Sequence, residues 1–311
     1  ERYAGAYVKE PKPGKYDWVV NFDLNSLYPH LIMQYNISPE TLVSQDKVKN
    51  MSVDKLLDKE VDTSILKNAT LTPNGALFKT TKKGFLPEIM ESMYNDRVKY
   101  KNLLLKAKQD YENTKDKKLL KDISRYHNIQ MAKKISLNSA YGAIGNEHFR
   151  YYDVLVAEAI TTSGQLSIRW IEKSLNDYLN KILGTKDYDY VLASDTDSVY
   201  ITFDRLVSNS FRQRDILEKN KGLLSKERVV SFLDRVAREK IEPFIDKSYS
   251  DLASYINAYD QKMQMKREVI ADKGIWTAKK RYILNVWDSE GVRYEKPKLK
   301  IMGIEAVKSS T

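Results

Sequence analysis

Two aspartates lie two residues apart between two runs of residues that favour β-strand. Asp195 and Asp197 are flanked by the segments 190–194 and 198–203, which are rich in Tyr, Val, Ile and Phe. Two carboxylates this close repel each other unless a positive charge lies between them, and a divalent cation is the natural partner. On a strand both side chains would leave the same face, roughly 7 Å apart at the backbone, which suits two metal ions. The alternative is a turn whose Asp, Thr and Ser side chains cap backbone amides.

A third aspartate ends another apolar run. Asp23 follows the segment 18–22, and a helical pattern over 27–35 begins soon after it, with Pro29 tolerated in the first turn. Unpaired amides and the dipole at a helix start can bind a phosphate, while a carboxylate beside them can hold a cation. A lone junction of this kind more commonly means an Asp or Ser that caps the helix. Together the three acids indicate phosphoryl-transfer chemistry.

Composition narrows the classes of ligand. The 311 residues include 52 Lys and Arg against 42 Asp and Glu, and the net charge of +10 favours a polyanion such as nucleic acid. A basic protein with a solvated, Lys-rich surface would show the same charge. There is no Cys and there are three scattered His, so a bound metal has to be a hard ion held by oxygen. No apolar run reaches the ~18 residues of a membrane span, so no membrane association is expected.

Predicted strands are distributed among predicted helices without a βαβ repeat. This pattern predicts an α+β fold in which a mixed or antiparallel sheet carries packed helices, and the length suggests roughly two domains. A helical hairpin is predicted from about 87 to 141, with a break at 113–116. Turn residues at 72–75 predict a β-hairpin, and Pro243 predicts a kink or stop near the end of a helix over 225–244. The other predicted elements are a helix over 152–183 and strands over 262–271, 276–287 and 294–302.

Polar and basic residues recur at helical spacing on the predicted helical hairpin. Arg97 and Lys101 are four residues apart on its first helix, and Lys134, Asn138 and Tyr141 share a face of its second. If these faces converge, they form a basic claw suited to a triphosphate. In isolation such residues are more often ordinary surface charges.

The segment Lys279 to Tyr282 is a second basic feature. It is predicted to begin an alternating strand, with Lys279 and Arg281 on one face and Lys280 and Tyr282 on the other. Basic side chains beside an aromatic ring suit a nucleic-acid backbone, which is contacted mostly through phosphate and sugar. An exposed strand face rich in Lys is the alternative.

Three segments together resemble motifs of the family B DNA polymerases, most closely those of T-even-like bacteriophages. Residues 23–29, Asp-Leu-Asn-Ser-Leu-Tyr-Pro, are similar to motif A of that family. Residues 134–142, Lys-Ile-Ser-Leu-Asn-Ser-Ala-Tyr-Gly, resemble motif B, and residues 195–198, Asp-Thr-Asp-Ser, resemble motif C. Residues 3–6 and 279–282 are similar to two motifs that contact template and primer. The matches follow the family order along the chain.

The resemblance implies a two-metal site. Asp23 and Asp197 would coordinate two Mg²⁺ ions, which Mn²⁺ could replace, with Asp195 beside them as the third catalytic carboxylate. The Leu24 carbonyl would be a backbone ligand, and Glu268 would be an additional carboxylate nearby.

The resemblance also implies how the deoxynucleotide is bound. Tyr28 would act as a steric gate that packs under the sugar and rejects a 2′-hydroxyl. The triphosphate would lie on the amides at the start of the helix and against the basic claw. The residues expected to bind the dNTP are Ser26, Leu27, Tyr28, Arg97, Lys101, Lys134 and Asn138.

The DNA contacts and the subdomains follow from the same resemblance. Residues 1–83 and 142–311 would form the palm and residues 84–141 the α-helical fingers hairpin, with the thumb and exonuclease domains absent. The expected partners are primer-template DNA, dNTPs, a sliding clamp and separate exonuclease or thumb polypeptides, in the cytoplasm of a bacterial host. The expected DNA-binding residues are Tyr3, Gly5, Tyr141, Gly142, Lys279, Lys280 and Tyr282.

The main functional prediction is a template-directed DNA polymerase core that adds deoxynucleotides to a primer 3′-OH. One alternative is a chain that is non-catalytic alone and binds DNA or dNTPs until separate exonuclease and thumb chains assemble with it. Another is a nucleotidyltransferase that uses RNA or a protein primer. Tyr28 disfavours the last alternative because a steric gate selects deoxy substrates.

Overall fold

The computed structural model describes residues 5–211 and 222–304, without the side chains of residues 222–225. Tyr3 therefore lies outside the described residues. No helix within these two ranges is both long and apolar enough to cross a bilayer. The chain divides into two compact units that interleave in sequence. The first unit takes in Glu1–Tyr7, Leu24–Ile171 and Asp246–Gln264, and the second takes in Val8–Asp23, Glu172–Ile245 and Met265–Thr311.

Sixteen α-helices and β-strands are assigned in the described ranges, together with a short 3₁₀-helix at Pro39–Thr41 and a π-helical segment at Ala237–Ile241. In chain order they are β1 (Gly14–Leu24), α1 (Leu27–Gln34), α2 (Val53–Leu57), β2 (Ala69–Leu71), β3 (Leu77–Lys79), α3 (Phe85–Thr114), α4 (Leu119–Ile144), α5 (Val154–Leu183), β4 (Val191–Asp195), β5 (Ser198–Thr202), α6 (Asp204–Ser210), α7 (Gly222–Val236), α8 (Glu242–Tyr255), β6 (Met265–Ala278), β7 (Arg281–Ser289) and β8 (Val292–Met302).

A six-stranded sheet organises the second unit, in the order β4-β5-β1-β6-β7-β8. The pairs β4/β5, β5/β1, β6/β7 and β7/β8 are antiparallel. Apolar side chains from several strands form one buried cluster that includes Val19, Tyr200, Trp276 and Leu284. Each such side chain contributes roughly 1.5–3 kcal/mol when fully buried. The predicted α+β fold with an antiparallel sheet is confirmed at this level, and the palm and fingers division stays a prediction.

The first unit is mainly helical. Helix α3 ends at Thr114, and Lys115 adopts a left-handed conformation with φ 54° while its amide bonds to the Tyr111 carbonyl. Helix α4 then packs along α3, with Lys133 paired to Asp96. This confirms the predicted helical hairpin, whose break lies at 115–118, two residues later than the predicted 113–116. Elsewhere in the unit, the Trp170 indole donates to the Ser248 carbonyl at 3.0 Å.

The predicted β-hairpin at 72–75 is also confirmed. Strands β2 and β3 pair antiparallel, and the Gly75 amide donates to the Thr72 carbonyl at 2.9 Å. Gly75 has φ +90°, and a Cβ there would lie 2.3 Å from the Val48 carbonyl oxygen. Only glycine satisfies both the conformation and the space at this turn.

The predicted strand boundaries near the C-terminal end of the described chain are wrong. Strand β6 continues through residues 272–275 to Ala278, and the turn to β7 is made by Lys279 and Lys280. Lys280 has φ 58°, a left-handed conformation that a turn residue adopts and a strand residue does not. Lys279 and Lys280 therefore do not begin an alternating strand. Apolar alternation continues through both strands, so the sequence pattern does not mark the turn.

The helix predicted to kink or stop near Pro243 does not stop there. Helix α7 passes into the π-helical segment Ala237–Ile241 and continues as α8 to Tyr255. Proline lacks an amide hydrogen and disrupts the regular i to i−4 bond at its own position. The wider π-helical turn just before Pro243 accommodates this loss without ending the helix.

A buried ion pair links β6 to β7 in the second unit. The Arg267 guanidinium contacts the Asp288 carboxylate, and their side chains are 7% and 2% exposed. Arg293 Nε lies 2.9 Å from the other Asp288 oxygen. Burial acts to raise the pKa of Asp288, but the charges and hydrogen bonds of Arg267 and Arg293 outweigh it, and the pKa is lowered.

We expect Asp288→Ala to lower the free energy of unfolding by about 1–3 kcal/mol, because the buried Arg267 would lose one of its two carboxylate partners and keep only Asp234. Since the folded-state pKa of Asp288 is depressed, its stabilisation is present above the unfolded-state value near ~4 and is lost as the pH falls through the folded value. Urea unfolding between pH 7 and pH 3 measures this. Asp288→Asn is the control, because it removes the titrating group. If the stability of Asp288→Asn fell with pH as steeply as that of the unsubstituted chain, Asp288 would not be the source of the pH dependence.

Candidate active site

The three predicted catalytic aspartates lie around the start of strand β5. Ser198, the first residue of β5, pairs with Asp23 on β1 and with Asp195 on β4. Asp197 immediately precedes Ser198 in the turn between β4 and β5. The sheet thus brings together an aspartate from residue 23 and two from a hairpin more than 170 residues further along the chain.

The hairpin decides between the two interpretations of the Asp-Thr-Asp segment. Asp195 ends β4, Thr196 has φ 57°, and the Asp197 amide lies 2.6 Å from the Asp195 carbonyl. The two aspartates are therefore not alternate residues of one strand, and the prediction that they share a strand face is wrong. The two aspartates are still close together, because Asp195 ends the strand and Asp197 lies in the tight turn that follows it.

Asp23 lies among other negative groups. Burial raises the pKa of Asp23 well above its ordinary value, and a hydrogen bond and charge repulsion from Glu268 add to the rise. Asp197 contributes in the same direction, whereas Lys300 opposes it. Two carboxylates that hydrogen-bond to each other share a proton. This pair therefore carries less negative charge than its two acids would carry apart.

Asn21 holds Glu268 against Asp23. Its side-chain amide donates to Glu268 Oε2 at 2.9 Å, and its Oδ1 accepts from the Val269 amide at 2.8 Å. Asn21 is fully buried. The sequence did not single out Asn21, although a polar residue inside an apolar strand has to find a buried partner and could have been noticed for that reason. The additional carboxylate expected at Glu268 does lie beside Asp23.

Asp195 has a different environment. Lys280 Nζ lies 3.5 Å from Asp195 Oδ1, and the Thr196 hydroxyl donates to the same oxygen at 3.0 Å. Both charged side chains are partly exposed, so the pair is worth at most about 1 kcal/mol. The basic turn of Lys279 and Lys280 is thus placed beside the aspartate hairpin.

The residues of this cluster suit a hard divalent cation. All of their acidic side chains offer oxygen, and the burial that raises the pKa of Asp23, together with the nearby charges of Glu268 and Asp197, would be offset by a bound cation. Within the described ranges, no three Asp, Glu or His side chains are grouped closely enough to hold an ion as they stand. Leu24 ends strand β1 with its side chain buried, and a hydrocarbon side chain offers no metal ligand. The two-ion assignment stays a prediction.

Tyr282 is buried in the same unit. It is 7% exposed, and its hydroxyl lies 2.7 Å from that of Tyr200. Burial raises the pKa of Tyr282, and Glu268 and Asp23 act in the same direction. Its ring stacks on Trp276 with centroids 5.2 Å apart. Tyr282 therefore supports the sheet beneath the carboxylates, and its contact with a primer stays a prediction.

The first unit holds the residues predicted to bind the triphosphate. Arg97, on α3, donates from Nη1 to the Ser26 hydroxyl at 2.7 Å. Ser26 precedes α1 and has φ 41° and ψ 68°, and its side chain does not cap the helix. The structure thus joins two predicted residues that are 71 positions apart. Their contact fixes α3 against the start of α1.

The predicted steric gate is also packed against a predicted DNA-binding residue. The rings of Tyr28 and Tyr141 are stacked, with centroids 4.4 Å apart and an interplanar angle of 26°. On α5, a Cβ at Gly164 would lie 3.3 Å from the Tyr28 ring and 3.4 Å from Leu27. Gly164 therefore leaves the space that the Tyr28 ring occupies. Nothing in the sequence pattern pointed to this glycine.

The remaining predicted residues differ in exposure. Lys101 is partly buried on α3, whereas Lys134 and Asn138 are exposed on α4. Gly142 is exposed within α4, which ends two residues later at Ile144. The Gly5 carbonyl accepts a hydrogen bond from the Gln165 side chain. The described contacts do not join Lys134 or Asn138 to the other predicted dNTP-binding residues, so the claw stays a prediction.

Comparison with known proteins agrees with the motifs. The family model for DNA polymerase family B matches residues 1–227. The chain belongs to this family. It is 37% identical to the DNA-directed DNA polymerase of Escherichia phage RB69, over 99% of this chain and 38% of that protein. It is 34% identical to that of Enterobacteria phage T4, over 100% of this chain and 39% of that protein.

The similarity extends beyond phages. The chain is 32% identical to the DNA polymerase delta catalytic subunit of Dictyostelium discoideum, over 65% of this chain and 17% of that protein. The family B chain spans about two fifths of the length of the two phage relatives. The resemblance drawn from the three motifs is therefore confirmed.

Proposed function

We propose that this family B chain is the nucleotidyl-transfer core of a template-directed DNA polymerase. The observation that carries the proposal is the arrangement of Asp23, Asp195 and Asp197 around the first residue of β5. Strand β1 and the β4–β5 hairpin bring the backbones of the three aspartates together, and a bound cation would offset the burial and repulsion at Asp23. Membership of DNA polymerase family B supports the same chemistry.

Each part of the site has a proposed role. Asp23, Asp197 and the Leu24 carbonyl hold two Mg²⁺ or Mn²⁺ ions, with Asp195 beside them. Such ions stabilise the charge that develops on the attacking and leaving oxygens during phosphoryl transfer. The side chains of Arg97, Lys101 and Lys134 bind the triphosphate, near Asn138 and the amides of residues 26–28.

The nucleic-acid partner is proposed from the same residues. Tyr28 excludes the 2′-hydroxyl of a ribonucleotide, and the turn of Lys279 and Lys280 binds the primer backbone. Tyr3, Gly5, Tyr141, Gly142 and Tyr282 complete the proposed DNA contacts. The proposed palm comprises residues 1–83 and 142–311, and the fingers comprise residues 84–141. Bacterial host cytoplasm is the proposed location, and a sliding clamp or separate exonuclease and thumb polypeptides are proposed partners.

Primer extension by the isolated chain tests the proposal. With labelled primer-template DNA, dNTPs and Mg²⁺, we expect incorporation of the nucleotide complementary to the template, lost on adding EDTA and restored by excess Mg²⁺ or Mn²⁺. Extension seen only after exonuclease and thumb polypeptides are added would instead support a chain that is non-catalytic alone. Incorporation that ignores the template would contradict the proposal.

A further inference from the structure

Ser26 is held in a conformation that a residue other than glycine rarely adopts. Its φ of 41° and ψ of 68° lie in the left-handed region. That region costs roughly 1–2 kcal/mol for a residue with a Cβ, so the surrounding contacts have to maintain it. A serine before a helix usually caps the helix with its hydroxyl, but this one does not. Its hydroxyl accepts instead from Arg97 on another helix.

His30 contacts the backbone carbonyl of Ser26. Its ring Nδ1 lies 2.9 Å from the Ser26 carbonyl oxygen, which also accepts from the His30 amide at 3.1 Å. A carbonyl oxygen can only accept, so Nδ1 has to carry the proton. Ser26 is thus fixed at its hydroxyl by α3 and at its carbonyl by the ring on α1.

The ring itself is well fixed. His30 is 7% exposed, and its ring meets Tyr94 edge to face with centroids 4.2 Å apart. Burial lowers the pKa of His30, and the charges of Lys262 and Arg97 lower it further, against the backbone contact with Ser26. The ring is therefore neutral near pH 7, with its single proton on Nδ1. Its bond to Ser26 does not depend on protonation.

We propose that His30 is a positioning residue, whose Nδ1–H group locks Ser26 so that the first amides of α1 stay directed at a bound triphosphate. This role rests on the proposed function, since it assumes that the start of α1 receives the dNTP phosphates. Ser26 determines the direction of the peptide groups that follow it. Without the His30 ring, the Ser26 carbonyl keeps only its hydrogen bond from the His30 amide. Ser26 can then relax to a more common backbone conformation.

Equilibrium binding to two probes, dATP with Mg²⁺ and inorganic tripolyphosphate with Mg²⁺, tests the role by calorimetry. We expect His30→Ala to weaken binding of both probes about 5–10-fold, the effect of one lost hydrogen bond. His30→Asn, whose amide can donate from a similar position, should recover affinity to within about twofold of the unsubstituted chain. His127→Ala removes an exposed histidine of α4 and should leave both affinities unchanged.

Ring ¹⁵N NMR gives a second measurement that does not depend on a variant of His30 folding. The chain has three histidines, so His127→Ala and His148→Ala leave His30 as the remaining signal. We expect a neutral ring protonated at Nδ1. A ring protonated only at Nε2, or a folded His30→Ala that binds both probes like the unsubstituted chain, would overturn the role of His30. Failure of the unsubstituted chain to bind dATP would overturn the proposed function instead.

Discussion

Replacing Asp23 or Asp197 with alanine should abolish primer extension, lowering its rate by at least about 10²–10³-fold. This is the scale observed when a group that stabilises transition-state charge is removed. Each substitution takes away an oxygen donor from the carboxylate cluster around Ser198. The rate of single-nucleotide incorporation at saturating primer-template, dNTP and Mg²⁺ measures the effect, because it separates chemistry from DNA binding.

The fold should survive the change at Asp23. This side chain is half-buried beside Glu268 and Asp197, so alanine removes repulsion as well as a ligand. We therefore expect the free energy of unfolding to stay the same or rise while activity is lost. Asp187→Asn is a matched control in the same unit, since Asp187 is exposed and its left-handed φ of 52° is tolerated by asparagine. Undiminished extension by either alanine variant would refute the catalytic assignment.

Tyr28→Ala should relax discrimination between dNTPs and rNTPs by about 10²-fold, the scale that a shaped pocket achieves against one added group. The reason is geometric. The Tyr28 ring is stacked on Tyr141 and lies against Gly164, so it cannot move aside to admit a 2′-hydroxyl. The ratio of kcat/KM for a dNTP to that for the matching rNTP measures the effect.

Tyr28→Phe is the control for this prediction. It keeps the ring and the stack on Tyr141 and removes only the hydroxyl, so sugar selectivity should change little. Comparable selectivity of Tyr28→Ala and the unsubstituted chain would rule out the gate. Selectivity lost in both variants would point to the hydroxyl rather than the ring.

Local features could be predicted where the residues of one short segment determine its structure. The hairpin at 72–75 follows from Pro-Asn-Gly turn chemistry, and the break near Lys115 follows from a polar segment between two helical patterns. Asp23, Asp195 and Asp197 could be recognised because acids beside apolar runs occur here together, within segments that resemble family motifs.

Other features were missed or predicted wrongly because they depend on neighbours distant in sequence or on a single backbone angle. The turn at Lys279 and Lys280 interrupts an apolar alternation that continues on both sides. Asn21 and Glu268 are hydrogen-bonded although they are 247 positions apart, and no local sequence pattern predicts such a contact. The π-helical segment before Pro243 lets a helix continue where the local rule predicts an end.

The sequence by itself determined the family of this protein, through three ordered motifs. Its oxygen donors, basic balance and lack of cysteine support the proposed divalent metal and nucleic-acid substrate. Only the tertiary structure decided how the parts are arranged. It turned the Asp-Thr-Asp segment into a hairpin, placed Glu268 against Asp23, and fixed Ser26 between Arg97 and His30. Side-chain types are encoded residue by residue, whereas these contacts depend on strand pairing and helix packing that join distant segments.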